Sequence, residues 1–182
     1  ALFREVAPVA ARSAILATNT SSLSITELGR RVGVAERVIG WHFFNPPPVM
    51  ELLEVVRGML TSEDTVQRSL SFAAEIGKTP IRIKDVPGFA VNRVLHVFLI
   101  EAVRLVEEGV ATPEDIDTAC KLGLGHPIGP FELMDATTSK LCLQAQDIMF
   151  DAYGERFRPR PLLKQRVQAG LVGGRNARGW RR

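Results

Sequence analysis

The chain has 182 residues, 46% of them hydrophobic and 24% charged, with a formal net charge of +3. That is long enough for one domain or two small ones with a real core, and the composition is ordinary for a soluble globular protein. No window reaches the ~18 uninterrupted apolar residues of a membrane span, no secretory signal is read, and Cys120 and Cys142 show neither a metal-ligand spacing nor a disulfide framework. A reducing, cytoplasmic setting is therefore expected. The charge is uneven: Arg156 to Arg182 holds nine Lys/Arg and no Asp/Glu, which leaves the rest of the chain acidic, with 14 basic and 20 acidic side chains. Such a tail could meet phosphates or simply keep a surface solvated.

In chain order, Ala1 to Val6 has helical spacing without a cap or an initiator Met, and reads as the middle of a helix in a piece of something longer. Residues 14–17 form a short apolar strand candidate running into the turn Thr18-Asn19-Thr20-Ser21-Ser22. Ser24-Ile25-Thr26-Glu27 is a capping-box pattern that opens a helix ending near Gly33. Two apolar runs, 38–44 and 52–56, flank Asn45 and three prolines, which belong in the connection because proline cannot donate to a ladder. Ser62-Glu63-Asp64 opens a helix that stops near Gly77, and Thr79 to Lys84 alternates as a strand. From Phe89 onward the pattern is helical only: a long helix to Gly109, one opened by Thr112-Pro113, and others starting near Pro130, Ser139 and Pro161. The fold class is α/β followed by all-α, with a boundary near Pro87.

His42, one of only three histidines, lies inside an apolar run. If the chain reverses about Pro48, His42 and Glu54 stand six residues to either side, and cross-strand partners are ~4.5–5.5 Å apart at Cβ. A carboxylate on one ring nitrogen fixes the tautomer and leaves the other nitrogen to take a proton, while a carboxylate in an apolar strand is costly unless paired. Each residue explains the other. Ser21 and Asn19 end the first strand, where α/β sheets bind ligands, although Ser and Asn also make ordinary turns. Asn92 and Arg93, just inside the long helix, either face solvent or point at a ligand. His96 and His126 read as structural, with no metal-ligand partner at a suitable spacing. Neither G-x-G-x-x-G nor a P-loop is present; the glycines at 123, 125 and 129 read as an interhelical turn.

The chain resembles the NAD-dependent L-3-hydroxyacyl-CoA dehydrogenases, including the 3-hydroxybutyryl-CoA dehydrogenases of bacteria. The resemblance is carried by Thr18-Asn19-Thr20-Ser21-Ser22-Leu23, Gly40-Trp41-His42-Phe43-Phe44-Asn45-Pro46, Glu51-Leu52-Leu53-Glu54-Val55-Val56, the stretch from Lys84 to Arg93, and Gly129-Pro130-Phe131-Glu132-Leu133-Met134-Asp135. It implies that residues 1–86 are the C-terminal part of a Rossmann-like dinucleotide-binding domain. Residues 87–182 would be a helical domain like that of 6-phosphogluconate dehydrogenase, which serves substrate binding and homodimer contact. It further implies oxidation of the 3-hydroxyl of an acyl-CoA to a ketone with NAD as cofactor. His42 would be the general base, Glu54 its orienting partner, and Ser21 and Asn92 hydrogen-bonding partners of the reacting oxygens. Asn19, Ser21 and Asn45 would line the nicotinamide side, and Arg175 would stand where the family has a lysine that reaches the cofactor.

The chain departs from the family in three places. The opening strand, glycine turn and acidic ribose-binding residue of the family are absent, and with them the main grip on a pyrophosphate. The tail, Gly173 to Trp180, echoes the family's closing segment only loosely, and Val97 stands where proline is frequent. The chain alone is therefore expected to turn over little. A second reading is a non-catalytic dimerisation or anion-binding module; nucleic acid, a membrane and a metal are not expected partners.

Overall fold

The computed structural model describes residues 2–21, 23–175 and 177–181. Ala1, Ser22, Asn176 and Arg182, which belong to the helical opening, the first turn and the tail, lie outside the described residues. The chain divides into two compact units, residues 1–90 and 91–182.

The first unit has the order α1 (Leu2–Val6), β1 (Leu16–Thr18), α2 (Ile25–Val32), β2 (Val38–Phe43), β3 (Leu52–Arg57), α3 (Glu63–Glu75) and β4 (Thr79–Lys84). The four strands lie side by side in chain order: β1 is parallel to β2, β2 antiparallel to β3, and β3 parallel to β4. Two strand–helix–strand units are thus joined at the proline connection, where the Asn45–Pro46 bond is cis. The first strand sits slightly later than its apolar run, because the register pairs Leu16 with Val38 and Thr18 with Gly40.

Side chains on a strand alternate between faces, and here the two faces have different neighbours. Leu16, Val38 and Val56 pack with Ile25 on the α2 side, whereas Ile39, Leu53 and Val55 pack with Val66 and Ala73 on the α3 side. Val38, Ile39, Leu53, Val55 and Val56 are entirely buried, each worth ~1.5–3 kcal/mol relative to exposure. Gly40 lets α2 come close: a Cβ there would stand 2.9 Å from Cβ of Val56 and 3.0 Å from Cδ1 of Ile25.

The capping box of α2 is only half as expected. The Ser24 hydroxyl accepts from Glu27 N–H, but the Glu27 side chain pairs with Arg31 instead of reaching back. Asp85, at the end of β4, serves the amides that follow the cap. Its carboxylate accepts from Ile25 N (3.0 Å), Thr26 N (2.8 Å) and the Ser24 hydroxyl (2.8 Å), and so satisfies the first-turn amides itself. Gly33, left-handed at φ 79°, ends the helix.

The second unit is helical: α4 (Val91–Glu107), α5 (Pro113–Gly123), α6 (Pro130–Thr137), α7 (Ser139–Tyr153) and α8 (Pro161–Gln168). Proline opens α5, α6 and α8, where its missing N–H has no intrahelical partner to lose. The core joins Leu99, Val103, Phe131, Met134, Leu163 and Trp180. The tail is held down: Trp180 N donates to Asp135 and its indole N–H to the Ser139 hydroxyl, both at 2.8 Å. His126 meets the Phe98 ring edge-on, and the Arg93 guanidinium lies 4.1 Å over the Tyr153 ring.

His96 is buried in α4, and among the described residues its Nδ1 has no hydrogen-bond partner. Burial pushes its pKa down from 6.5 to about 4. The unfolded chain takes up that proton near pH 6.5 and the folded one only near pH 4. The neutral ring's stabilisation is therefore complete above pH 6.5 and is lost as the pH falls toward 4, by on the order of 3 kcal/mol.

Two outcomes are expected. Gly40→Ala should cost ~1–3 kcal/mol through overpacking, read from urea unfolding at pH 7; an unchanged midpoint would contradict the close approach of α2. His96→Phe should flatten the loss of urea stability between pH 6.5 and pH 4.5; a variant as acid-sensitive as its parent would show that another group sets that slope.

Candidate active site

His42 and Glu54 are direct cross-strand partners in the antiparallel β2–β3 pair, so both side chains fall on one face of the sheet. The face is the one that carries Val38 and Val56, which continues the apolar row into a polar pair. His42 Nδ1 lies 2.7 Å from Glu54 Oε2. Glu54 is fully buried, and His42 is 7% exposed. With the carboxylate ionised, Nδ1 carries the proton and Nε2 keeps a free lone pair, the arrangement of a base with an orienting acid. The rings of Phe44 and Phe89 approach the imidazole edge-on, with centroids at 4.7 and 5.5 Å. They narrow access of water to it.

The other carboxylate oxygen has its own donor, Ala90 N–H to Oε1 at 3.0 Å. The turn that delivers this amide begins at Asp85, held on the α2 terminus, and passes through Gly88 at φ 76° and Phe89 at φ 42°. A left-handed phenylalanine costs on the order of 1–3 kcal/mol and persists only where its surroundings enforce it. Here they do so on both sides: the Phe89 ring is buried against the site, and its backbone turns the next amide onto Glu54. Asp85, Phe89 and Ala90 are thus parts of the site that side-chain chemistry in the sequence did not single out. The only local signal was the Pro87-Gly88 turn, which says nothing about where the amide after it points.

Of the other expected site residues, Asn19 is exposed at the end of β1, and its Oδ1 accepts from Phe43 N at 2.9 Å. This ties the turn to the strand of His42 and leaves the Asn19 Nδ2 as a donor. Ser21 follows in the same turn, exposed, at the carboxyl end of β1, the edge at which the parallel β2 also ends. Asn45 is exposed just after β2. Asn92 is half-buried in the first turn of α4, in the second unit, and Arg175 is exposed in the tail. Among the described residues no group of three or more His, Cys, Asp or Glu could hold a metal ion. No described helix is long and apolar enough to cross a membrane.

Whether a dinucleotide suits these residues can be judged from their donors. Two amides and a hydroxyl at one sheet edge fit a carboxamide and ribose hydroxyls. The diphosphate is different: the first-turn amides of α2 are taken by the Asp85 carboxylate, whose charge repels phosphate. The donors at this edge therefore suit a carboxamide and ribose hydroxyls better than a diphosphate.

Two family models match the chain: "3-hydroxyacyl-CoA dehydrogenase, NAD binding domain" over residues 1–86, and "3-hydroxyacyl-CoA dehydrogenase, C-terminal domain" over residues 88–182. The chain is 44% identical over 182 residues to the hydroxyacyl-coenzyme A dehydrogenase, mitochondrial, of Sus scrofa, covering 98% of this chain and 58% of that protein. It is 43% identical over 180 residues to the "Probable 3-hydroxybutyryl-CoA dehydrogenase" of Bacillus subtilis, covering 98% and 63%. Among solved structures, the (S)-3-hydroxybutyryl-CoA dehydrogenase of Ralstonia eutropha superimposes with a TM-score of 0.95 at 39% identity, over 98% of this chain and 64% of that one. The chain thus spans about three-fifths of the length of these relatives.

Proposed function

Because the chain belongs to the 3-hydroxyacyl-CoA dehydrogenase family, we propose that its His42–Glu54 pair serves the oxidation of an L-3-hydroxyacyl-CoA to the 3-oxoacyl-CoA with NAD. The observation that carries this reading is the 2.7 Å contact between a buried imidazole and a fully buried carboxylate. His42 Nε2 takes the proton of the 3-hydroxyl. Glu54 holds Nδ1–H, which fixes the ring and offsets the charge of the imidazolium that forms. Ala90 N–H satisfies the second carboxylate oxygen, so each oxygen of the buried carboxylate has a partner. NAD, when bound, supplies the hydride acceptor.

Ser21 and Asn92 hydrogen-bond the reacting substrate oxygens in this reading, a role supported by the family pattern. Asn19, Ser21 and Asn45 hold the nicotinamide side, and Arg175 reaches the cofactor from the tail. Residues 1–86 are the remainder of the dinucleotide-binding domain, and residues 87–182 form the domain for substrate and homodimer contact. Exposed apolar side chains on the helical unit support the dimer: Val94 and Val97 on α4, Leu141 and Ile148 on α7. Nucleic acid has no part in the reading, since Arg158, Arg160 and Arg181 of the basic tail pair with Glu155, Glu107 and Glu132. Both thiols are free and buried, which fits a reducing compartment such as the cytoplasm.

In a protein of the relatives' full length that carries this chain, His42→Gln should lower the turnover of acetoacetyl-CoA with NADH by roughly 10²–10⁴-fold with a smaller change in KM. A variant within threefold of its parent would refute the assignment. The 182-residue chain alone should show little or no such turnover, since the donors at its sheet edge suit a carboxamide and ribose hydroxyls better than a diphosphate.

A further inference from the structure

Within residues 91–182 lies a cleft of about 800 Å³, bounded by the end of α4, the start of α5, α8 and the tail. That volume falls in the ~300–1,000 Å³ range of small-molecule sites. Its lining includes the apolar side chains of Val106, Leu162 and Leu171 and the basic ones of Arg166, Arg178 and Arg181, together with Trp180.

The three arginines are not equivalent. Arg181 is neutralised, bonded to Glu132 at 2.8 Å and within 3.9 Å of Asp117 and Asp135. Arg166 is held rigidly yet has no carboxylate in salt-bridge range among the described residues. Its guanidinium stacks 4.3 Å over the Trp180 ring, one Nη donates to the Gly179 carbonyl, and Nε is buried with no acceptor among the described residues. Arg178 is exposed and likewise has no ion partner among the described residues. Burial pushes the Arg166 pKa down, Asp135 opposes that, and the like charge of Arg178 adds to it. Among the described lining residues Glu114 is the acidic one, and it is engaged in an interaction of its own.

The guanidinium of Arg166 is fixed by its stacking on Trp180 and its bond to Gly179, and among the described residues no carboxylate forms an ion pair with it or with Arg178. An anion bridging the two would pair with both, and arginine's planar fork matches phosphate with paired hydrogen bonds. The apolar side chains of the lining suit a body that a bare inorganic ion lacks. We propose that this cleft binds an organic phosphate of nucleotide size, its phosphate between Arg166 and Arg178 and its ring system against Val106, Leu162 and Leu171.

AMP is the probe, and Trp180 is the reporter in the Trp41→Phe variant, which leaves a single indole. Titration at low ionic strength should give a saturable change in Trp180 fluorescence. Adenosine and inorganic phosphate should each bind at least tenfold more weakly than AMP. Arg178→Gln, at an exposed position, should weaken AMP at least tenfold. Arg104→Gln, which removes a charge of α4 paired with Glu101, should leave the titration unchanged. Absence of a saturable change, an Arg178→Gln variant within twofold of the parent, inorganic phosphate binding as tightly as AMP, or an equal loss in Arg104→Gln would each overturn the proposal.

Discussion

A carboxylate buried in the middle of an apolar strand is the constraint around which the first unit is arranged. Taking an ion of that size out of water costs several kcal/mol even after relaxation, and the cost is met only by good geometry with further hydrogen bonds. Glu54 meets it with an imidazole on one oxygen and a backbone amide on the other. Neither partner is local in sequence: His42 comes from the neighbouring strand, and Ala90 from a turn 36 residues further on. The carboxylate therefore couples the register of one strand pair to the path of the turn after β4.

That coupling explains features that otherwise look unrelated. A one-residue slip of β3 against β2 would send Glu54 to the α3 face and bury it without a donor, so the pair strongly specifies register. Gly40 allows α2 to lie against the strand that carries His42. Asp85 spends its carboxylate on the α2 terminus and fixes the start of the turn that ends at Ala90. The left-handed Phe89 is the local cost of that path. Stability and site geometry are served by the same contacts, and a relaxed turn would loosen both.

Much of this was legible in the sequence, for reasons that can be named. The His42–Glu54 pairing follows from two apolar runs placed symmetrically about Pro48 and from the cost of leaving either side chain unpartnered. The helix starts at Ser62, Thr112, Pro130, Ser139 and Pro161 follow from cap and proline chemistry, which acts within a few residues. What escaped depends on tertiary contact. Glu27 completes a capping-box pattern in sequence, yet it pairs with Arg31, and the amides of Ile25 and Thr26 go to Asp85 from the far end of the unit's sequence. Gly40 looks like any strand glycine until Ile25 is packed against it. The amide of Ala90 carries no side-chain signature at all. Ser21, Asn92 and Arg175 drew their roles from the family pattern, because turn residues and exposed arginines have ordinary uses that spacing cannot separate from special ones.

Which nitrogen of the imidazole bears hydrogen can be read directly, without turnover. Long-range ¹H–¹⁵N correlation NMR of the ¹⁵N-labelled chain, with His96→Phe and His126→Gln used to assign the signals, reports which ring nitrogen of His42 bears hydrogen. Nδ1 is expected to bear hydrogen, seen as a far-downfield proton that disappears in Glu54→Gln. A ring protonated at Nε2 alone, or an Nδ1 signal indifferent to the loss of the carboxylate, would contradict the pairing of His42 with Glu54.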